Sequence, residues 1–140
     1  MVPRRSELET PPPVAAGRSR AEILIIEDDF AIRRTLAEVL DEEGYDVRCA
    51  ADGREGMAML WERSARPNLI ILDLWMPLLD GLAFRRLQRS LAEWADIPVL
   101  VITASRFLPR ELPSLGLSEV LRKPLQLDDV LSKVQDLTSH

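Results

Sequence analysis

The sequence holds one cysteine, Cys49, and one histidine, His140, the latter at its very end. A single thiol excludes an internal disulfide and any cysteine-based metal cluster. Cys49 lies in the strand-like run Tyr45–Cys49 and reads as a small core residue. A lone terminal histidine is a poor candidate for catalysis. No apolar run reaches the ~20 residues of a membrane span, and the N-terminus lacks a signal-peptide core. A cytoplasmic protein is the default expectation. A basic excess is also missing: 18 Lys and Arg stand against 23 Asp and Glu, a net charge of −5. That argues against direct nucleic-acid binding driven by phosphate contacts.

What is present suits one globular core. The chain has 140 residues, 46% hydrophobic and 29% charged, enough for one domain and too few for two. Residues 1–20 stand apart, with Pro3, Pro11-Pro12-Pro13 and the arginines Arg4, Arg5, Arg18 and Arg20. Four arginines against Glu7 and Glu9 give this leader a net +2, leaving −7 for residues 21–140. Such a segment cannot bury enough apolar surface to offset its ordering entropy, so a disordered leader is expected. A polyproline ligand is the weaker reading of it.

From Ile23 the pattern alternates. Ile23–Ile26, Tyr45–Ala50, Leu69–Leu72, Val99–Ile102 and Glu119–Arg122 read as strands. Between them, helical spacing runs over Phe30–Glu43 (Phe30, Ile32, Leu36, Val39, Leu40 inward), stopped by Gly44. A second helix opens at Asp52-Gly53 and continues to about Ser64, with Met57, Leu60 and Trp61 on one stripe. A third starts at Asp80-Gly81 and carries Leu82, Phe84, Leu87 and Leu91. The last runs from about Gln126 with Leu127, Val130, Leu131, Val134 and Leu137 inward. Nearly continuous apolar strands alternating with helices indicate an α/β fold, a parallel sheet covered on both faces.

Ligands of open α/β sheets bind beyond the carboxyl ends of the strands. Glu27, Asp28, Asp73, Thr103 and Lys123 all fall there. Asp73 closes the apolar run Leu69–Leu72, and a charge at the rim of a buried strand costs several kcal/mol unless compensated. Glu27-Asp28-Asp29 ends the first strand and Lys123 the fifth. Taken singly, each has a bland explanation: a turn residue, a helix-dipole partner, a loop lysine, a strand-end hydroxyl. Together they describe a site.

In order and spacing these residues resemble the receiver domain of two-component response regulators, from Ala21 to about Leu137. The lone Asp follows the acidic pair by 45 residues, Thr103 follows by 30 and Lys123-Pro124 by 20 more. The most specific signal is Asp-x-x-Met-Pro-x-x-Asp-Gly, Asp73 through Gly81. The resemblance implies a doubly wound, flavodoxin-like five-stranded sheet in the order 2-1-3-4-5. It implies that Asp73 accepts a phosphoryl group from a sensor histidine kinase or phosphotransfer protein. Mg²⁺ would be held by Glu27, Asp28, Asp73 and the backbone carbonyl of Trp75, an oxygen-rich rim that suits this ion. Lys123 would pair with Asp73 at rest and with the phosphoryl group after transfer, and Thr103 would donate its hydroxyl to that group. Asp29 reads as the cap of the first helix. Such a protein is a signalling phosphoacceptor and no enzyme, beyond its own phosphotransfer and dephosphorylation.

Four departures from the family pattern stand out. Leu78-Leu79 replaces the glycine common after Met-Pro, which restricts the backbone there. Val120 stands where receivers carry the Tyr or Phe that swings inward with the Thr. Pro109 and Pro113 fall where the fourth helix runs, so that helix is expected to be short or distorted, with Phe107 and Leu108 partly exposed. Trp75 and Ser105 occupy the two positions that in the family tune hydrolysis, and a bulky indole at the first implies a slowly hydrolysed phosphoaspartate.

Two other functions compete. A constitutive adaptor that kept the fold and lost the switch would explain Val120 and the prolines. A phosphoaspartyl phosphatase would carry a second acid two residues after Asp73, where Trp75 stands. No output domain follows the last helix, so the chain reads as a stand-alone receiver or as part of a larger regulator. The family often forms homodimers through the fourth-helix, fifth-strand and fifth-helix face, the face altered here. No membrane contact is expected.

Overall fold

The computed structural model describes residues 20–62, 66–76 and 78–139. The leader, apart from Arg20, lies outside the described residues, as do Ser64 at the expected end of the second helix, Pro77 and His140. Arg20 belongs to the folded body. It donates to the carbonyls of Gly44 and Tyr45 at 2.8 and 2.9 Å and pairs with Asp46 at 3.2 Å.

Five strands alternate with four helices: β1 (Glu22–Ile26), α1 (Phe30–Glu42), β2 (Asp46–Ala50), α2 (Gly53–Glu62), β3 (Leu69–Asp73), α3 (Gly81–Ser90), β4 (Val99–Thr103), β5 (Val120–Arg122) and α4 (Leu127–Thr138). All pairings are parallel and the strand order is β2-β1-β3-β4-β5, as expected. β3 and β4 are buried at every position, whereas edge strand β2 alternates between exposed and part-buried residues before ending on buried Ala50. Continuous apolar runs are thus central strands, because both of their faces are covered.

Strand side chains alternate between the two faces and split the core in two. Leu24, Ile26, Ile70, Leu72 and Val101 face α2 and α3, meeting Leu60 and Phe84. Ile23, Ile25, Ile71, Leu100 and Ile102 face α1 and α4, meeting Leu36, Leu40, Val130 and Val134. Cys49 is free, half-buried, and packs against this second layer.

Helical stripes are narrower than the sequence suggests. Phe30, at the start of α1, is exposed, its ring covered by the Arg33 guanidinium 5.5 Å away. Trp61 is exposed as well and meets Trp94 edge-on, with ring centroids 4.8 Å apart. Leu87 and Leu127 also reach solvent. Each lies at a helix end or stripe edge, where the sheet no longer covers it.

Between Thr103 and Val120 there is no α-helix. The segment makes only one 3₁₀ turn, Pro113–Leu115, ended by Gly116 in the left-handed region at φ 68°. Pro109 and Pro113 remove the backbone donors a helix would need, and Phe107 and Leu108 are exposed as expected. Leu112 and Leu117 anchor the segment in the core. Its backbone is satisfied from α3, where the buried Arg85 donates to the Leu115 carbonyl at 2.9 Å and to Gln88 at 2.8 Å. Gln88 in turn donates to the Trp94 and Ile97 carbonyls at 2.8 and 3.0 Å. Side chains take the place of a missing ladder.

Candidate phosphoacceptor and metal site

Asp73 is the last residue of central strand β3 and is 3% exposed. The helix that follows is held tightly under it. Gly81 is required here, since a Cβ would lie 2.6 Å from the Asp73 carbonyl oxygen and 2.7 Å from the Leu74 Cα, both backbone atoms that cannot yield. Asp80 caps α3 by accepting from the Ala83 amide at 2.9 Å. The Asp-Gly that closes the sequence motif therefore fixes the exit of β3 in two ways.

Glu27 follows β1 and is fully buried. Its Oε2 accepts from the Asp29 amide at 3.0 Å, and its backbone carbonyl accepts from Arg33 at 2.7 Å. Oε1 forms a close ion pair with Lys123, 2.7 Å from its Nζ, and meets no other hydrogen-bond partner. Asp28 is exposed beside it. Asp29 caps α1, accepting from the Ile32 amide at 3.0 Å, as expected.

Ligand oxygens of Glu27, Asp28 and Asp73 all lie within 4.8 Å of one another. Three carboxylates whose ligand oxygens converge, with a single lysine against two of them, fit a hard divalent cation that takes oxygen ligands and keeps several waters. Lys123 spans two of them, its Nζ also 3.4 Å from Asp73 Oδ2. The Trp75 amide donates to Asp73 Oδ1 at 3.4 Å.

The electrostatics follow from burial. Desolvation pushes the Asp73 carboxyl up to about 7, with the Glu27 charge adding to the rise and Lys123 opposing it. Burial alone would lower the Lys123 pKa, yet the contacts with Glu27 and Asp73 outweigh it and leave the ammonium raised. The site therefore carries a firmly charged lysine and a carboxylate that benefits from any further positive charge.

Thr103, the end of β4, is fully buried, and its Oγ1 accepts from the Ser105 amide at 3.1 Å. Ser105 folds its loop into a tight turn, its hydroxyl donating to the Phe107 carbonyl at 2.9 Å and accepting from the Phe107 amide at 3.1 Å. Trp75 is 49% exposed. Val120 is half-buried against the core layer beneath α2 and α3. An apolar groove of about 360 Å³ opens beside Lys123, between α1 and the segment leading into α4, lined by Ile32, Leu36, Pro124, Leu125 and Leu127.

Two residues that sequence reasoning passed over belong to this surface. Arg33 braces the Glu27 backbone from α1. Arg122, next to Lys123, donates to the carbonyls of Ser105 and Arg106 at 3.1 and 2.8 Å. The only signal for Arg122 was its place at the end of β5, beside an expected site residue.

Comparison with known proteins places this geometry in context. The response regulator receiver domain family matches residues 23–135. The response regulator MprA of Mycolicibacterium vanbaalenii is 38% identical over 117 residues, spanning 82% of this chain and 49% of that protein. MprA of Mycobacterium avium is equally similar, at 38% over 117 residues. The chain spans about half the length of these curated relatives. Among solved structures, the chemotaxis protein CheY4 of Vibrio cholerae superposes with a TM-score of 0.78 at 30% identity, covering 85% of this chain and 99% of that one. The response regulator TrrA of Thermotoga maritima, solved in complex with Mg²⁺ and BeF, gives 0.73 at 31% identity, covering 84% and 98%.

Proposed function

The chain belongs to the response regulator receiver family and is a receiver domain of two-component signalling; from that premise we propose that Asp73 is its phosphoacceptor. The observation that carries the reading is Asp73 itself, a nearly buried carboxylate at the end of the central strand, within 4.8 Å of two further acids and 3.4 Å from Lys123. Burial of that kind persists at a functional site because a reaction or a ligand compensates it.

In the proposed reaction an Asp73 carboxylate oxygen attacks the phosphorus of a kinase phosphohistidine in line. A P–O bond forms, the P–N bond breaks, and the electron pair leaves with the imidazole. Phosphoryl transfer asks little covalent chemistry of the protein; positioning and charge neutralisation dominate. Glu27, Asp28, Asp73 and the Trp75 carbonyl would hold Mg²⁺, which when bound neutralises phosphoryl oxygens as charge builds on them. Lys123 stays charged throughout and meets a second phosphoryl oxygen. Thr103, whose hydroxyl already accepts from Ser105, still has its own proton to donate. The Trp75 amide holds the Asp73 carboxylate in a fixed orientation. The groove beside Lys123 offers an apolar footing for the kinase surface that presents the histidine. A kinase phosphohistidine as donor would make this a cytoplasmic reaction, and no helix among the described residues is long and apolar enough to cross a membrane.

Incubation with a small acyl phosphate and Mg²⁺ tests this reading. A mass gain of one phosphoryl group, absent in Asp73→Ala, is expected. A constitutive adaptor is the second reading, favoured by Val120 and by the missing helix between Thr103 and Val120. Failure to label under conditions that label ordinary receivers would select it.

A further inference from the structure

A continuous set of hydrogen bonds leads away from the site through Thr103, Ser105 and Arg122. Thr103 Oγ1 holds the Ser105 amide at 3.1 Å. The Ser105 carbonyl, at the other end of the same residue, is held by Arg122 Nη1 at 3.1 Å, and that nitrogen also donates to the Arg106 carbonyl at 2.8 Å. Arg122 is the register partner of Thr103 across β4 and β5, and the Lys123 amide donates to the Thr103 carbonyl at 2.8 Å. Side chains two apart on a strand share a face, so Arg122 points to the same side as Val120, while Leu121 packs in the opposite core layer.

Resting on the reading of Asp73 as phosphoacceptor, we propose that Arg122 is a positioning residue that latches the loop after β4 in its resting place and couples that loop to phosphorylation. Thr103 is fully buried and its hydroxyl is shared with Ser105. A threonine oxygen that moves toward a phosphoryl group on Asp73 to donate its proton carries its acceptor lone pairs with it, and the Ser105 amide must follow that movement or lose its partner. Following draws the Ser105 carbonyl away from Arg122. One residue is held from both ends, so Thr103 engaged on phosphate and Arg122 engaged on the loop oppose each other. Phe107, 81% exposed on the turn that Ser105 closes, moves with the loop and changes what the surface presents. Val120 has no phenol or reach for such a role. The neighbouring guanidinium has both hydrogen bonds and reach.

Opposition of this kind is a coupling free energy, and it has a sign. Removing the latch favours the phosphoryl-engaged loop. Beryllofluoride with Mg²⁺, which a similar receiver binds, is the probe. Arg122→Ala is expected to bind it about three- to tenfold more tightly than wild type. Arg122→Lys, which keeps the charge but loses the guanidinium fork, should fall between the two. Amide resonances of Ser105 and Phe107 in ligand-free Arg122→Ala should shift toward their beryllofluoride-bound positions. A merely structural arginine would do the reverse, since loosening the loop weakens binding. If wild type binds and Arg122→Ala binds no better, the latch is wrong while Asp73 stands. If wild type does not bind at all, the phosphoacceptor reading falls and the latch with it.

Discussion

Lys123 Nζ stands closer to Glu27, 2.7 Å from Oε1, than to Asp73, 3.4 Å from Oδ2. The lysine is therefore held by both acids, and more closely by Glu27 than by Asp73, the proposed nucleophile. On the proposed assignment Glu27 would serve two cations in turn, pairing with Lys123 through Oε1 at rest and sharing its carboxylate with a metal when one is bound. Glu27→Gln and Asp28→Asn should each weaken Mg²⁺ binding by about 10-fold or more, because each removes one charge from a three-acid set. Asp29→Asn should leave Mg²⁺ affinity unchanged, since its carboxylate caps α1 and asparagine caps equally well. Titration of all three variants with Mg²⁺ against a fluorescence or calorimetric signal checks the set. Equal loss in Asp29→Asn would mean that the wrong pair of acids has been assigned.

The metal-free protein should be limited by Asp73. Its folded-state pKa is raised from 3.8 to about 7, so the folded state holds the proton more tightly than the unfolded chain. Stability from this group is then present at low pH and is lost as pH rises toward 7. Asp73→Asn should accordingly be more stable than wild type in EDTA at pH 8, by on the order of 2 kcal/mol. The gap should shrink as pH falls toward 4, and it should narrow when Mg²⁺ is added to wild type. Denaturant melts at three pH values, with and without metal, measure it. A mutant less stable than wild type at pH 8 would show that Lys123 already compensates the buried charge.

Leu78 carries a different strain. Its φ is 69°, in the left-handed region, at one of the two leucines that stand where the family has a glycine. A non-glycine residue there costs about 1–2 kcal/mol, and Leu78 recovers little by burial because it is 71% exposed. Leu78→Gly should raise stability by up to about 1 kcal/mol, the relief being offset in part by the entropy glycine gains in the unfolded chain. Thermal melts of the two proteins decide it. A stability loss would mean that the exposed leucine makes contacts worth more than its backbone strain.

The central sheet was readable because β1, β3 and β4 are apolar at almost every position, and such runs have only one home in an α/β fold. The rim followed: Asp73 and Thr103 end strands, Glu27 and Lys123 directly follow β1 and β5, and parallel strands bring their ends together. Asp29 as a cap was readable from its place before Phe30. Other features depend on atoms far apart in sequence, and no local pattern announces them. Lys123 reaching Glu27 spans almost the whole domain. Arg85 satisfying the Leu115 carbonyl depends on how the prolines of residues 109 and 113 bend a segment that has no period of its own. Trp61 and Phe30 lay on apolar stripes, yet each sits at the end of a stripe where the sheet stops. Periodicity reports which face is inward, not how far the cover extends.

Trp75 is where rate, rather than fold, should be set. Its amide donates to Asp73 Oδ1, which sets its α-carbon beside the proposed phosphoacceptor. Its indole joins neither core layer and is 49% exposed, so burial does not commit it elsewhere. On the proposed assignment a large apolar side chain two residues after the phosphoacceptor would obstruct the water that must approach phosphorus in line, while Ser105, at the second position proposed to tune hydrolysis, spends its hydroxyl on Phe107. Trp75→Asn opens the approach and supplies an amide that can hold a water. Dephosphorylation should accelerate several-fold, about 1 kcal/mol or more in barrier, with labelling by the acyl phosphate still confined to Asp73. The decay of phosphoprotein after donor removal, followed by mass, reads this directly. An unchanged or slower decay in the variant would remove Trp75 from the hydrolysis step and leave it a surface aromatic that packs over the loop.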